Sequence, residues 1–199
     1  YKRQALFKAG RCGLLVEWGD PGPLQLDDDA TAIKGKLYAI SGLGSREVLD
    51  RATGKLVPVS KSNAPHSIDG INYAPFAAFG GWAGAVNKGA DQKTKDAAYA
   101  FLSYMNQSAQ SSVDVTIGAT GYNPYRLSQL SSPDLFVKAG MPQALAENYI
   151  GAINGALNSL NMASDMKIPG ANKYTAVVLD TELARYLAGE ISVDEALEN

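Results

Sequence analysis

Apolar residues return at helical spacing through the later part of the chain and in short β-prone runs through the earlier part, so helices and strands are expected in different halves. From Asp91 onward Ala98, Phe101, Leu102 and Met105 share one face, and Asp91 stands where a cap belongs, which predicts a helix over 91–106. SPDLFVKAG at 132–140 predicts a short helix, with Ser132 as cap, Pro133 at the first helical position and Gly140 past the end. Pro142 then opens a longer one, in which Leu145, Tyr149, Ile153, Leu157 and Leu160 recur at intervals of three or four. A further helix over about 172–188 carries Tyr174, Val177, Val178, Tyr186 and Leu187 and stops at Gly189, and Ser192 with Glu195 reads as the capping box of a last short helix. The opening YKRQALFKAG resembles the middle of a helix with Gly10 as its C-terminal stop, so the chain is expected to be a piece of something longer.

The strand signals are shorter. CGLLVEW at 12–18 is a β-prone run that ends in Gly19-Asp20-Pro21-Gly22, a strong turn, and so is expected to deliver Trp18 to a loop. KLYAI at 36–40 predicts a second buried strand, and AGAVN at 83–87, after Gly80-Gly81-Trp82, a third. Thr53-Gly54 suggests a hairpin on a polar excursion running from about 45 to 65. No repeat and no low-complexity linker divides the 199 residues, which predicts one lobe of α/β class with a mixed sheet flanked by helices and a helix-rich C-terminal half.

Composition narrows the chemistry. Eighteen basic and twenty acidic side chains leave a net charge of -2, which gives no electrostatic footprint for nucleic acid. With one cysteine, Cys12, and one histidine, His66, the chain has no internal disulfide, no His-rich metal site and no two-histidine mechanism. The charge-free stretch from Gly70 to Asn87 holds Pro75, Asn72 and four glycines, and reads as folded interior and loop rather than a membrane span. No basic segment followed by an apolar run opens the chain, so any secretion signal is removed or lies upstream.

Most single motifs are weak. SGLGSRE at 41–47 fails as a dinucleotide fingerprint, because its third glycine position is Glu47. Asp27-Asp28-Asp29 lacks the alternating ligands and closing glutamate of a calcium loop and reads as a solvated loop. Cys12 reads as a buried inert thiol, and His66 as a surface or ligand-contacting residue with no partner motif for general base catalysis. No metal or cofactor is expected. Three loops share another property: Trp18-Gly19-Asp20, Gly80-Gly81-Trp82 and Gly121-Tyr122-Asn123-Pro124-Tyr125-Arg126 each join glycine, which lets backbone come close, to an aromatic ring. Such loops suit a sugar, whose C–H face stacks on indole or phenol while its hydroxyls bond to Arg, Asp or Asn; either tryptophan could equally be a core anchor.

The order of these motifs resembles the C-terminal half of family 1 extracellular solute-binding proteins, the receptors that feed sugars to ABC importers. The segments that carry the resemblance are FKAGRCGLLVEWGDPG at 7–22, FGGWAGAVNKGADQKTKDAAYAFLSYM at 79–105, GYNPYR at 121–126 and the ending from IPGANKY, and it spans most of the chain apart from roughly 23–70. It implies a periplasmic-binding-protein-like lobe in which Trp18 and Trp82 stack on ligand, Asp20, Asn123 and Arg126 bond to it, and Gly80 and Gly81 bring backbone close; Gly19 and Tyr122 belong to the same loops. GATGYNPYR and GGWAGAVN also resemble segments of receptor ectodomains, including cyclase-linked ones in green algae. The resemblance further implies a partner N-terminal lobe, an ABC permease or a receptor signalling module, and an extracytoplasmic location. Because ligand in that family is held between two lobes, this chain is expected to bind weakly or not at all when alone.

Three other expectations stand beside transport. The same lobe serves a sensing ectodomain equally well. A glycoside hydrolase would use paired acids such as Glu17 and Asp20, set about 5 to 9.5 Å apart. A structural interaction domain would bury its aromatic loops in a partner surface. The absence of a clear cationic cluster argues against phosphate or a polyanion as ligand.

Overall fold

The computed structural model describes residues 2–27, 32–74, 77–78, 83–164 and 168–198. It divides into two units, one formed by Tyr1–Phe76 and Trp82–Met162 and the other by Ala77–Gly81 and Ala163–Asn199.

The first unit opens with helix α1, Lys2–Lys8. A 3₁₀ turn follows at Gly22–Leu26. Strands β1, Gly44–Ser45, β2, Glu47–Asp50, β3, Lys55–Pro58, and β4, Asn72–Tyr73, make two antiparallel pairs, β1 with β4 and β2 with β3. The β2–β3 pair is the hairpin expected from Thr53-Gly54. Asp50 closes its loop by accepting the Ala52 N–H at 3.0 Å and the Thr53 hydroxyl at 2.7 Å, and Gly54 takes the left-handed conformation at φ 68°. Strand β5, Ala77–Ala78, belongs to the second unit and is taken up there.

The remainder of the first unit is helical: α2, Gln92–Met105, α3, Ser108–Asp114, a 3₁₀ turn at Gly118–Thr120, α4, Leu127–Leu130, α5, Asp134–Lys138, and α6, Gln143–Leu157. Asp91 caps α2 as expected, accepting the Thr94 N–H at 3.0 Å. Ser132 sits one residue further out than expected: Pro133 precedes α5, and the Ser132 hydroxyl accepts the Asp134 N–H at 3.2 Å. The core lies where α5, α6 and the end of α3 meet. Phe136, Met141, Leu145, Ala146, Tyr149, Ile150 and Val115 are buried together. The Phe136 and Tyr149 rings meet edge to face at 5.1 Å, the arrangement their quadrupoles favour. The apolar stripe expected on α6 is therefore buried only at its start: Leu145 and Tyr149 are inside, Ile153 is half-buried, and Leu157 and Leu160 are exposed. On α2, Ala98, Leu102 and Met105 are half-buried, and Phe101 is 63% exposed.

In the second unit β5 pairs in parallel with β6, Ala163–Ser164. Helix α7, Ala171–Lys173, runs through a π-helical stretch, Tyr174–Leu179, into α8, Asp180–Leu187, and α9, Val193–Glu198, follows. The expected capping box is formed: Ser192 donates its N–H to Glu195 at 2.8 Å and its hydroxyl accepts the Glu195 N–H at 3.2 Å. Gly10, Gly140 and Gly189 end α1, α5 and α8 in the same way. Each has positive φ, donates to the carbonyl three residues back, and is followed by an N–H that bonds five residues back, which closes the last turn.

The chain is thus mixed α/β, and its strands depart from expectation. The described strands form three separate two-stranded pairs instead of one mixed sheet. The runs 12–18, 36–40 and 83–87 carry no ladder, because β propensity makes a segment fit for pairing and a partner strand must still supply the bonds. At 36–40 a side chain takes that role: Asn148 of α6 accepts the Ala39 N–H at 2.7 Å and donates to the Ala39 carbonyl at 3.0 Å. Among the described residues no helix is long and apolar enough to cross a membrane.

Candidate functional site

Three pieces of the first unit enclose a cleft of about 830 Å³. Its walls are α1, the segment from Glu17 to Asp27, and the turn from Gly118 to Tyr122. Gln4 and Lys8 stand four residues apart, hence on one face of α1. Each ties that helix to the second wall: the Gln4 amide donates to Asp20 Oδ2 at 2.8 Å, and the Lys8 ammonium meets Asp27 Oδ2 at 3.0 Å.

Glycines set how closely the second and third walls approach. A Cβ added to Gly118 would lie 2.8 Å from the Leu24 Cα and 2.9 Å from Asp27 Oδ1, so only glycine lets these loops meet there. At Gly19 it would lie 2.8 Å from Asn123 Oδ1 and 3.2 Å from Ile153, so this glycine serves contact between the protein's own loops. Tyr149 supports the turn from behind, since a Cβ at Gly22 would fall 2.2 Å from its ring. Burial, aided by the negative charge of Asp20, pushes the Tyr149 hydroxyl well above the usual phenol range, so it stays protonated at neutral pH. That hydroxyl and Asn123 Oδ1 are both buried, with no hydrogen-bond partner among the described residues.

Of the residues singled out in the sequence, Trp18, Asp20 and Tyr122 line this cleft, whereas Gly19 and Asn123 meet each other and are not among its lining residues. Trp18 and Tyr122 line the cleft and keep 53% and 45% exposure, so neither is a core anchor. Asp20 lies in the wall at 9% exposure. Glu17, considered above as one of a pair of acids, lines the same cleft.

Arg126, expected to bond to ligand, is not among the residues that line this cleft. Its Nε donates to the Ser111 hydroxyl at 3.1 Å, its terminal nitrogen donates to the Asn106 carbonyl, and the guanidinium lies 5.6 Å from the centre of the Tyr125 ring. These bonds hold the α2–α3 junction against α4. Cys12 is half-buried rather than buried. Gly80, Gly81 and Trp82, like Asp28 and Asp29, lie outside the described residues.

Sequence reasoning missed Gln4, Lys8, Thr120 and Tyr149. The four-residue spacing of Gln4 and Lys8 was a usable sign that one helix face carries polar groups of opposite role to Asp20 and Asp27. Nothing local marks Tyr149, which reads as an ordinary core position of α6. Among the described residues no three His, Cys, Asp or Glu side chains assemble as a metal ion would require. No protein-family model, curated protein sequence or solved structure matches the chain.

Proposed function

We propose that this chain is a non-catalytic, extracytoplasmic receptor lobe that binds a small solute, a carbohydrate, for uptake through an ABC-type importer. The observation that carries the binding reading is the cleft with Trp18 and Tyr122 on its walls and Asp20 between them in sequence and at its side. A cleft that combines exposed aromatic faces with a few fixed polar groups suits a sugar ring, whose two kinds of surface need both. The periplasmic-binding-protein-like fold, the importer and the location rest on the resemblance in the 7–22, 79–105 and 121–126 segments. In this reading α1 and the Gly118–Tyr122 turn are one side of the ligand's enclosure and a second lobe supplies the other.

Ligand-observed NMR, which registers weak binding, tests it with a panel of mono- and disaccharides and polyols. Saturable transfer from protein to at least one sugar is expected, with binding at least about tenfold weaker in Trp18→Ala, the scale of one lost aromatic contact. No transfer to any panel member, either from this chain or from a form extended upstream to restore the second lobe, both shown to be folded, would overturn the carbohydrate reading.

A further inference from the structure

We infer that Gln129, a buried residue of α4 outside the cleft lining, is a positioning residue that holds the loop carrying Tyr122 onto the cleft wall. Its effect on binding rests on the carbohydrate reading of the cleft; its effect on the loop does not. Gln129 Oε1 accepts two backbone N–H groups, that of Tyr125 at 3.0 Å and that of Arg126 at 3.1 Å. Pro124 has no N–H, so these are the first two donors the backbone offers after Asn123. Gln129 Nε2 donates to the hydroxyl of Ser111, a fully buried residue of α3, at 3.2 Å. Ser111 sets which way the amide points. Its hydroxyl gives its proton to the Ser108 carbonyl at 3.2 Å and also receives Arg126 Nε at 3.1 Å, so both of its lone pairs face donors. Only the nitrogen end of the Gln129 amide fits there, which leaves the oxygen for the loop.

A helix cap alone would need only the Arg126 N–H, which belongs to the residue before α4. Gln129 takes the Tyr125 N–H as well and ties both to a second helix, and its burial makes these bonds costly to lose. The other end of the loop is tied to α3 too. The Thr120 hydroxyl accepts the Tyr122 N–H at 3.3 Å and donates to the carbonyl of Asp114, the last residue of α3, at 2.8 Å. Tyr122 thus lies between two anchors on one helix. A loop held at both ends presents its ring to a ligand already in place, with little ordering left to do on binding.

The test reads the loop and the cleft separately. Gln129→Leu keeps a similar volume and removes both ends of the amide. Amide exchange measured by NMR should quicken by at least about tenfold more at Tyr125 and Arg126 than at Ile150 in the core of α6, the scale of one lost hydrogen bond. Gln129→Glu keeps an oxygen for the two N–H groups and should hold their exchange within about threefold of wild type. Sugar binding, followed in whichever form of the protein gives transfer, should weaken by about fivefold or more in Gln129→Leu. In a Tyr122→Ala background the same substitution should change affinity by less than about twofold, because the ring it acts through is gone. Exchange at Tyr125 and Arg126 that merely follows Ile150 would overturn the positioning role, as would an affinity loss equally large without the Tyr122 ring. If no sugar binds either form, the carbohydrate reading falls, and the exchange pattern alone decides whether Gln129 holds the loop. Should Gln129→Leu not fold, Ser111→Ala removes the anchor of the amide on α3 and should quicken the same two amides by about threefold relative to Ile150.

Discussion

Helices α2 and α6 are nearly equal in length, and both are announced by apolar residues at three- and four-residue spacing, yet they end in opposite surroundings. α6 buries Leu145, Ala146, Tyr149 and Ile150 against α5 and the end of α3. α2 buries no residue, and Tyr99, Phe101 and Tyr104 on it are exposed. The pair teaches that periodicity fixes that a segment is helical and which face is apolar, whereas burial depends on what the rest of the fold brings to that face. α2 accordingly leans on side-chain bonds at its ends, the Asp91 cap at its start and the Arg126 bond to the Asn106 carbonyl just beyond its end, where α6 leans on packing.

The sharpest way to expose that difference is Phe136→Ala. The Phe136 ring is fully buried and meets Tyr149 edge to face. Its loss should lower stability by about 3–5 kcal/mol in urea denaturation, the range for emptying a packed aromatic site. A loss below about 1 kcal/mol would mean that α5 and α6 do not form the core.

How much of this was legible follows the same line. Segments whose signal is local came through: the α2 cap, the 192–195 capping box, the hairpin at Thr53-Gly54, and the glycine stops at Gly10, Gly140 and Gly189 are each decided within about six residues. The runs 12–18, 36–40 and 83–87 were read as strands because Val, Leu, Ile and Tyr suit a pleated surface, and the missing information was the identity of a partner strand, which no run contains within itself. In the site, the loops at Trp18–Asp20 and Tyr122–Asn123 were legible from glycine beside aromatic residues. The Arg126 bond to the Asn106 carbonyl was not legible, because an arginine next to a glycine-aromatic loop has the same sequence appearance whichever way it faces. Tyr149 was out of reach, since its role depends on Gly22 standing against its ring across more than a hundred residues of chain.

Arg126→Ala should act at an intermediate scale and on the α2 side of the comparison. It removes the bonds to Ser111 and the Asn106 carbonyl, the latter at the end of α2, and leaves the Ser111 hydroxyl short of one donor. Hydrogen bonds to a charged group are each worth about 1.5–3 kcal/mol, and half-exposure lowers that, so a loss of about 1–3 kcal/mol is expected in the same denaturation series. Sugar affinity should stay within about twofold of wild type, because this side chain is not among the described residues that line the cleft. A large fall in affinity with unchanged stability would return Arg126 to the ligand site.

The smallest effect isolates the start of α2. Asp91 accepts both the N–H and the hydroxyl of Thr94, and these bonds, the hydroxyl first, hold its carboxyl below the usual carboxylate range. A carboxyl whose pKa is lower in the folded chain than in the unfolded one stabilises the fold at pH values above its unfolded pKa, and that contribution is lost as pH falls through the folded value. The first turn of α2 should therefore fray on acidification into and below the carboxylate range, read as faster amide exchange at Thr94 corrected for the intrinsic pH dependence. The start of α6 supplies the internal control: Pro142 precedes it and no side chain caps it, so its first turn has no titrating cap to lose. Asp91→Ala should show the frayed exchange already at neutral pH and no further acid-dependent step at this site. Equal acid response at the starts of both helices would mean that global unfolding drives the change, and the local account of how α2 is held would fail.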